Sequence, residues 1–141
     1  MKHLLLLSLL AVSFAGCKKK EAEPVDLFQG HWVSETQRSV SYDASGQINS
    51  DQTYPGRQDA DITANTITFT GYQPNGTPRT PSTNGYTRIG EDLVFTDASP
   101  VLVIYHVRDL TATSFTLESD YYSTLNPNSP RTATSYIPFH R

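Results

Sequence analysis

The side chains able to do chemistry are few and scattered: Cys17, His31, Arg38, the pair Asp59/Asp61, Glu91-Asp92, His106 and His140. A single cysteine excludes an intrachain disulfide framework and a multi-cysteine zinc site. His31 and His140 offer two imidazoles without a neighbouring carboxylate, too few donors to close a metal site. The acidic pairs stand in or beside expected turns, where solvated charges are the rule, and His106 among apolar neighbours reads as structural. There is no Gly-x-Ser-x-Gly elbow, no glycine loop that would cradle phosphates and no His-Glu-x-x-His. The expectation is a protein without catalytic residues, cofactor or metal.

Charge and hydropathy narrow the field further. The 141 residues suit one domain, and 11 Lys+Arg against 14 Asp+Glu leave no basic face for nucleic acid. Leu4–Phe14 is apolar but too short for a spanning helix, which needs about 20 residues. Lys2 and His3 precede this run, and Ala15-Gly16 follow it directly before Cys17, the pattern of a secretory signal. Phe14-Ala15-Gly16-Cys17 resembles the lipobox of bacterial lipoproteins, with Phe14 where Leu is usual. The resemblance implies that residues 1–16 are removed and that Cys17 is lipidated, several acyl chains giving durable attachment to a bilayer. Residues 17–26, with Lys18-Lys19-Lys20 ahead of Glu21 and Glu23, then form a tether. Position 18 is not Asp, so nothing resembles an inner-membrane retention signal. The expected location is the outer membrane of a bacterial envelope, on either face.

Any such address must carry a domain, and from Cys17 onward its composition is that of a sheet. Thr, Val and Ile number 17, 7 and 6, against 6 Leu, 7 Ala and no Met. Branched side chains fit a pleated surface and lose freedom in helices. Only Pro24–Gln29 suggests one turn of helix, with Gly30 just past its end. Eight period-2 runs follow: His31–Tyr42, Gln52–Thr63, Thr66–Tyr72, Gly85–Ile89, Leu93–Thr96, Val101–Arg108, Ser114–Tyr122 and Arg131–Arg141. Pro55 and Pro138 mark irregularities in the second and eighth. In an up-and-down order the long Gly/Pro-rich loops all fall at one end, and Ala64-Asn65, Gly90-Glu91-Asp92 and Asp109–Thr113 at the other. The expected fold is therefore all-β, an eight-stranded up-and-down antiparallel barrel with one tight end and one flapped end.

The segment Leu27-Phe28-Gln29-Gly30-His31-Trp32 resembles the lipocalin signature, Gly-x-Trp opening the first strand. Tyr105–Leu117 resembles the penultimate hairpin of lipocalin-like lipoproteins of the Bacteroidota type, and together the likeness covers roughly Leu27–Arg141. It implies that Trp32 closes the barrel floor with Arg141, the basic residue ending the last strand, packed across it. With Trp32 inside, alternation places Ser34, Thr36, Arg38, Val40 and Tyr42 on the same face. It also turns Ile67, Phe69, Leu93, Phe95, Val101, Val103, Tyr105, Val107, Phe115, Leu117 and Tyr121 inward. The pocket candidates are Arg38, Tyr42, Phe69, Tyr86, Phe95, Tyr105, Phe115 and Tyr121, with Arg38 able to hold a carboxylate bidentately. The function expected is binding or carriage of a small apolar or amphipathic ligand, without nucleic acid and with the membrane touched only through the lipid. The alternative is an interaction or inhibitor module with a filled core, whose long loops, Tyr121 and Tyr122 meet another envelope protein.

Overall fold

The computed structural model describes residues 26–96, 103–123 and 129–141. The signal segment, Cys17, the tether up to 25 and Val101 lie outside them. Period-2 patterning between turn residues produces strands in the expected order: β1 (Gly30–Tyr42), β2 (Ile48–Ile62), β3 (Thr66–Gly71) and β4 (Ser82–Ile89). They are followed by β5 (Asp92–Phe95), β6 (Val103–Arg108), β7 (Ser114–Tyr122) and β8 (Arg131–His140). Each strand pairs antiparallel with the next, and β8 returns to pair with β1, closing the barrel. The connections after β2, β4 and β6 share one end and those after β1, β3, β5 and β7 the other, where the longest, residues 72–81, also lies.

The described residues contain no helix. Where a helical turn was expected, residues 26–29 form a single hydrogen-bonded turn. The Gln29 N–H donates to the Asp26 carbonyl at 3.1 Å, and the Phe28 N–H to Asp26 Oδ1 at 3.0 Å. β2 starts at Ile48, earlier than its pattern suggests, because its first half pairs with β1 alone, while β3 joins it only from Gln58. That arm needs no inward apolar residues, so alternation gives no sign of it.

The barrel wall is irregular around both prolines. The β1–β2 register shifts between Ser34 and Thr36, opposite Pro55. On the other side, β1–β8 pairing breaks between Val33 and Arg38, opposite the stretch that holds Pro138. Neither proline has an N–H to give to the ladder. An uneven count across a pair is a bulge, and it reverses which side chains face in.

The main buried cluster lies at the tight end, while Val40, 2% exposed, is buried apart from it beside Thr134. Phe28, Trp32, Ala60, Ile62, Ile67, Tyr86, Leu93, Val107, Phe115, Leu117 and Phe139 make one cluster. All but Phe28 come from the starts of β1, β3, β5 and β7 or the ends of β2, β4, β6 and β8.

Candidate functional site

The floor is built from the Gly-x-Trp segment upward. Gly30 adopts φ 128°, which a side chain rarely takes, and a Cβ there would stand 3.3 Å from Arg141 Nη2. That freedom lets the chain turn Trp32 fully inside, where its indole N–H donates to the Phe28 carbonyl at 2.9 Å. Its ring meets Phe115 edge-on at 4.9 Å, and Phe28 makes edge contacts with Phe115 and Tyr86. The Arg141 guanidinium lies 4.2 Å over the Trp32 ring and donates to the carbonyls of Leu27 and Gln29. Arg88 lies 5.1 Å over Phe28 and pairs with Asp26. Two guanidiniums thus cap an aromatic plug, each holding its charge in water while covering a ring. Tyr86 donates its hydroxyl to the Thr63 carbonyl, so this end is satisfied as well as filled.

Toward the long loops the interior changes character. Ser119 and Ser135 are directly paired across β7 and β8, in the inward phase set by Leu117 and Ile137. Gln37 donates to Ser135 Oγ at 2.8 Å. Tyr105 and Tyr121 share this inward phase, and burial pushes both phenols above their ordinary value. Their hydroxyls bond to no other described residue. Beside them Phe69, Phe95 and Tyr105 pack half-buried on the core, with Phe95 and Tyr105 4.5 Å apart. A cavity of about 200 Å³ opens between β1, β2 and β3, lined by Ser34, Gln37, Gln58, Tyr72, Arg79 and Ile137 among others. At its rim Asp59 is buried under Arg57 and Tyr72. Burial raises its carboxyl, but the hydrogen bonds from Arg57 and Tyr72 outweigh this and leave it below the ordinary carboxylate value.

Several sequence expectations need correction. Arg38, Val40 and Tyr42 do not share the Trp32 face. The bulge near Glu35 turns them to the outer wall, where Arg38 pairs with Tyr136, and Val40 with Thr134. Arg38 is exposed and spends two nitrogens on Asp51, at 2.8 and 2.6 Å, so it holds nothing inside the barrel. Asp51 holds the guanidinium's proton more firmly, and Arg38 in turn lowers the Asp51 carboxyl. Tyr42 lies beneath the Arg131 guanidinium at 4.7 Å, outside the barrel. Tyr86 and Phe115 are part of the filled floor. Only Phe69, Phe95, Tyr105 and Tyr121 remain at the interior's partly open half. Asp59 is not a solvated turn charge. His31 does have a carboxylate, Asp61, at 2.7 Å.

His106 also proves polar in its surroundings. It faces outward, bonds Asp92 Oδ1 at 2.5 Å through Nδ1, and stands with Glu118 and Asp120 so that three ligand atoms lie within 4.8 Å of one another. One imidazole and two carboxylates are donors that divalent ions accept. Here, however, Glu118 already faces Arg108 at 3.3 Å, and Asp120 faces Arg131 at 3.0 Å and accepts from Thr134 at 2.6 Å. The arrangement is an ion-pair network. It was not legible in sequence, because its members meet only through the pairing of β5, β6, β7 and β8.

No protein-family model matches the chain, and no curated protein compared with it is similar. Two solved structures resemble it in fold. One is a protein of unknown function from the DUF3598 family of Nostoc punctiforme, at 8% identity and TM-score 0.48, the alignment covering 82% of this chain. This chain spans about half of that protein's length, 48%. The other is a lipocalin-like protein from Bacteroides uniformis, at 12% identity and TM-score 0.46, covering 82% of this chain and 98% of that one. The barrel assignment itself rests on the chain's own closed strand order.

Proposed function

We propose that this chain is a lipocalin-like, lipid-anchored protein of the bacterial outer membrane that binds a small apolar or amphipathic molecule at the open end of its barrel, without catalysing a reaction. The observation that carries the reading is the division of the interior. A sealed aromatic floor gives way to a half that combines aromatic walls with the hydroxyls of Tyr105 and Tyr121, which bond to no other described residue. Apolar walls with a few fixed polar groups are the usual design of small-molecule sites. A separate cavity of about 200 Å³, lined by Ser34, Gln37, Gln58, Tyr72, Arg79 and Ile137 among others, is below the usual range for such sites and suits a small ligand, or one end of a longer molecule. Lipidation would sit at Cys17, and Cys17→Ser should move the protein from the membrane fraction into the soluble one; unchanged membrane retention would remove the anchor from the proposal. β1 begins at the floor, so the tether enters there and the mouth faces away from the bilayer. A nitroxide at Asn75 in the β3–β4 loop should then be beyond reach of lipid-borne quenchers.

The filled tight end also supports the second reading, an interaction or inhibitor module that meets an envelope protein through its long loops. Native mass spectrometry of protein taken from its own membrane separates the two. A retained small molecule supports carriage, whereas an empty barrel with a co-purified protein supports the module.

A further inference from the structure

The outer wall carries a second concavity, independent of the interior. It spans about 400 Å³ across β1, β6, β7 and β8, twice the volume found between β1, β2 and β3. Its central side chains are Arg38, Arg108, Asp109, Thr116, Glu118 and Tyr136. Register fixes their outward direction: Thr116 and Glu118 alternate with the buried Phe115 and Leu117, and Tyr136 pairs with both Glu118 and Arg38.

The hydrogen-bonding groups of this groove are held in place. Arg38 is fixed by its two bonds to Asp51, and Arg108 by Glu91 at 2.6 Å through Nη1 and Glu118 at 3.3 Å through Nε. Nη1 of Arg38 and Nη2 of Arg108 bond to no other described residue, so each guanidinium keeps donors in a set plane. Asp109 is the single non-glycine residue among those described with positive φ, at 53°, a region where Asp is tolerated. Its carboxylate and the Thr116 hydroxyl bond to no other described residue and are acceptors at the groove. Two guanidiniums and two carboxylates in the lining balance, which gives an anion no net attraction. Tyr136 supplies an aromatic ring between them, one face of it under the Arg38 guanidinium at 5.5 Å.

Fixed donors, fixed acceptors, a hydroxyl and a ring, without net charge, match one ligand chemistry well. A pyranose presents hydroxyls that donate and accept at once, and a C–H face that stacks on the negative face of an aromatic ring. We propose that this groove binds a neutral oligosaccharide, with Tyr136 as the stacking platform and Arg38, Arg108 and Asp109 as the groups that fix its hydroxyls.

Cellohexaose, maltohexaose and chitohexaose, with hexagalacturonate as the charged comparison, are titrated into the isotope-labelled full-length chain and followed by amide chemical shifts. At least one neutral hexamer should shift Thr116, Glu118 and Tyr136. Tyr136→Ala should bind about thirtyfold more weakly, the usual cost of truncating a central aromatic anchor. Thr116→Tyr, which fills the groove and leaves both arginine pairs in place, should abolish the shifts. Trp32 emission and the melting curve report whether each variant is folded, and if Tyr136→Ala is not, Thr116→Tyr decides. No shift with any neutral hexamer at millimolar concentration overturns the proposal. So do shifts confined to Phe69, Tyr105 and Tyr121, tighter binding of hexagalacturonate, or a folded Thr116→Tyr that binds like the parent.

Discussion

Removing the Trp32 side chain should unfasten the closed end of the barrel. The indole is completely buried, and Trp32→Ala deletes its edge contact with Phe115 and leaves a void under the floor. Truncating a large buried aromatic costs about 3–5 kcal/mol. The upper part of that range is expected, because the Phe28 carbonyl loses its donor and Arg141 loses its platform in the same step. A domain of this size is stable by about 5–15 kcal/mol, so the variant keeps a fold but a marginal one. With a urea slope of about 2 kcal/mol/M, its midpoint should fall by about 2 M. The measurement is urea unfolding followed by far-ultraviolet circular dichroism, since the substitution removes the one tryptophan that fluorescence would report. Arg141→Ala is the internal comparison. Its guanidinium covers the ring from the solvent side, and its loss should cost about 1 kcal/mol, a shift of about 0.5 M. A Trp32→Ala midpoint within about 0.3 M of the parent would refute the account of the floor.

Gly30→Ala should destabilise by about 1–2 kcal/mol, through positive-φ strain and the Cβ it would press on Arg141; thermal unfolding matching the parent would show that the backbone relaxes freely. The Asp59 carboxyl is held below its unfolded value, so the stability it contributes is complete above about pH 4 and is lost as pH falls through the lower folded value. Asp59→Asn should therefore flatten the acid limb of a stability–pH curve, and an unchanged limb would rule out this carboxyl as its source. Tyr105 and Tyr121 are raised by burial, so the unfolded chain ionises first and stability falls as pH rises past about 10. Ultraviolet titration should show a late-ionising class of phenols that shrinks in the Tyr105→Phe/Tyr121→Phe double variant; a single step for all eight tyrosines would contradict the burial of these two phenols.

The strand order and its loop asymmetry were legible in the sequence because both are local. Period-2 runs and turn residues such as Ala64-Asn65 and Gly90 carry their own conformational preferences, and a meander with short links at one end has few other ways to close. The pairing of Trp32 with Arg141 could be anticipated for a related reason: both stand at strand ends that the order brings together. The direction of Arg38 and Tyr42 was not legible. One uneven count in β1, set by how it meets Pro55 on one neighbour and the Pro138 stretch on the other, reverses every later side chain. The early start of β2 escaped as well, since an arm paired on one side only has no buried face to impose a pattern. Only the closed barrel, which lays β6, β7, β8 and β1 side by side, assembles the His106–Glu118–Asp120 network and the Tyr136 groove from residues as far apart in sequence as Arg38 and Tyr136. Contacts across strands depend on register, and register is fixed by the whole sheet rather than by any one segment of it.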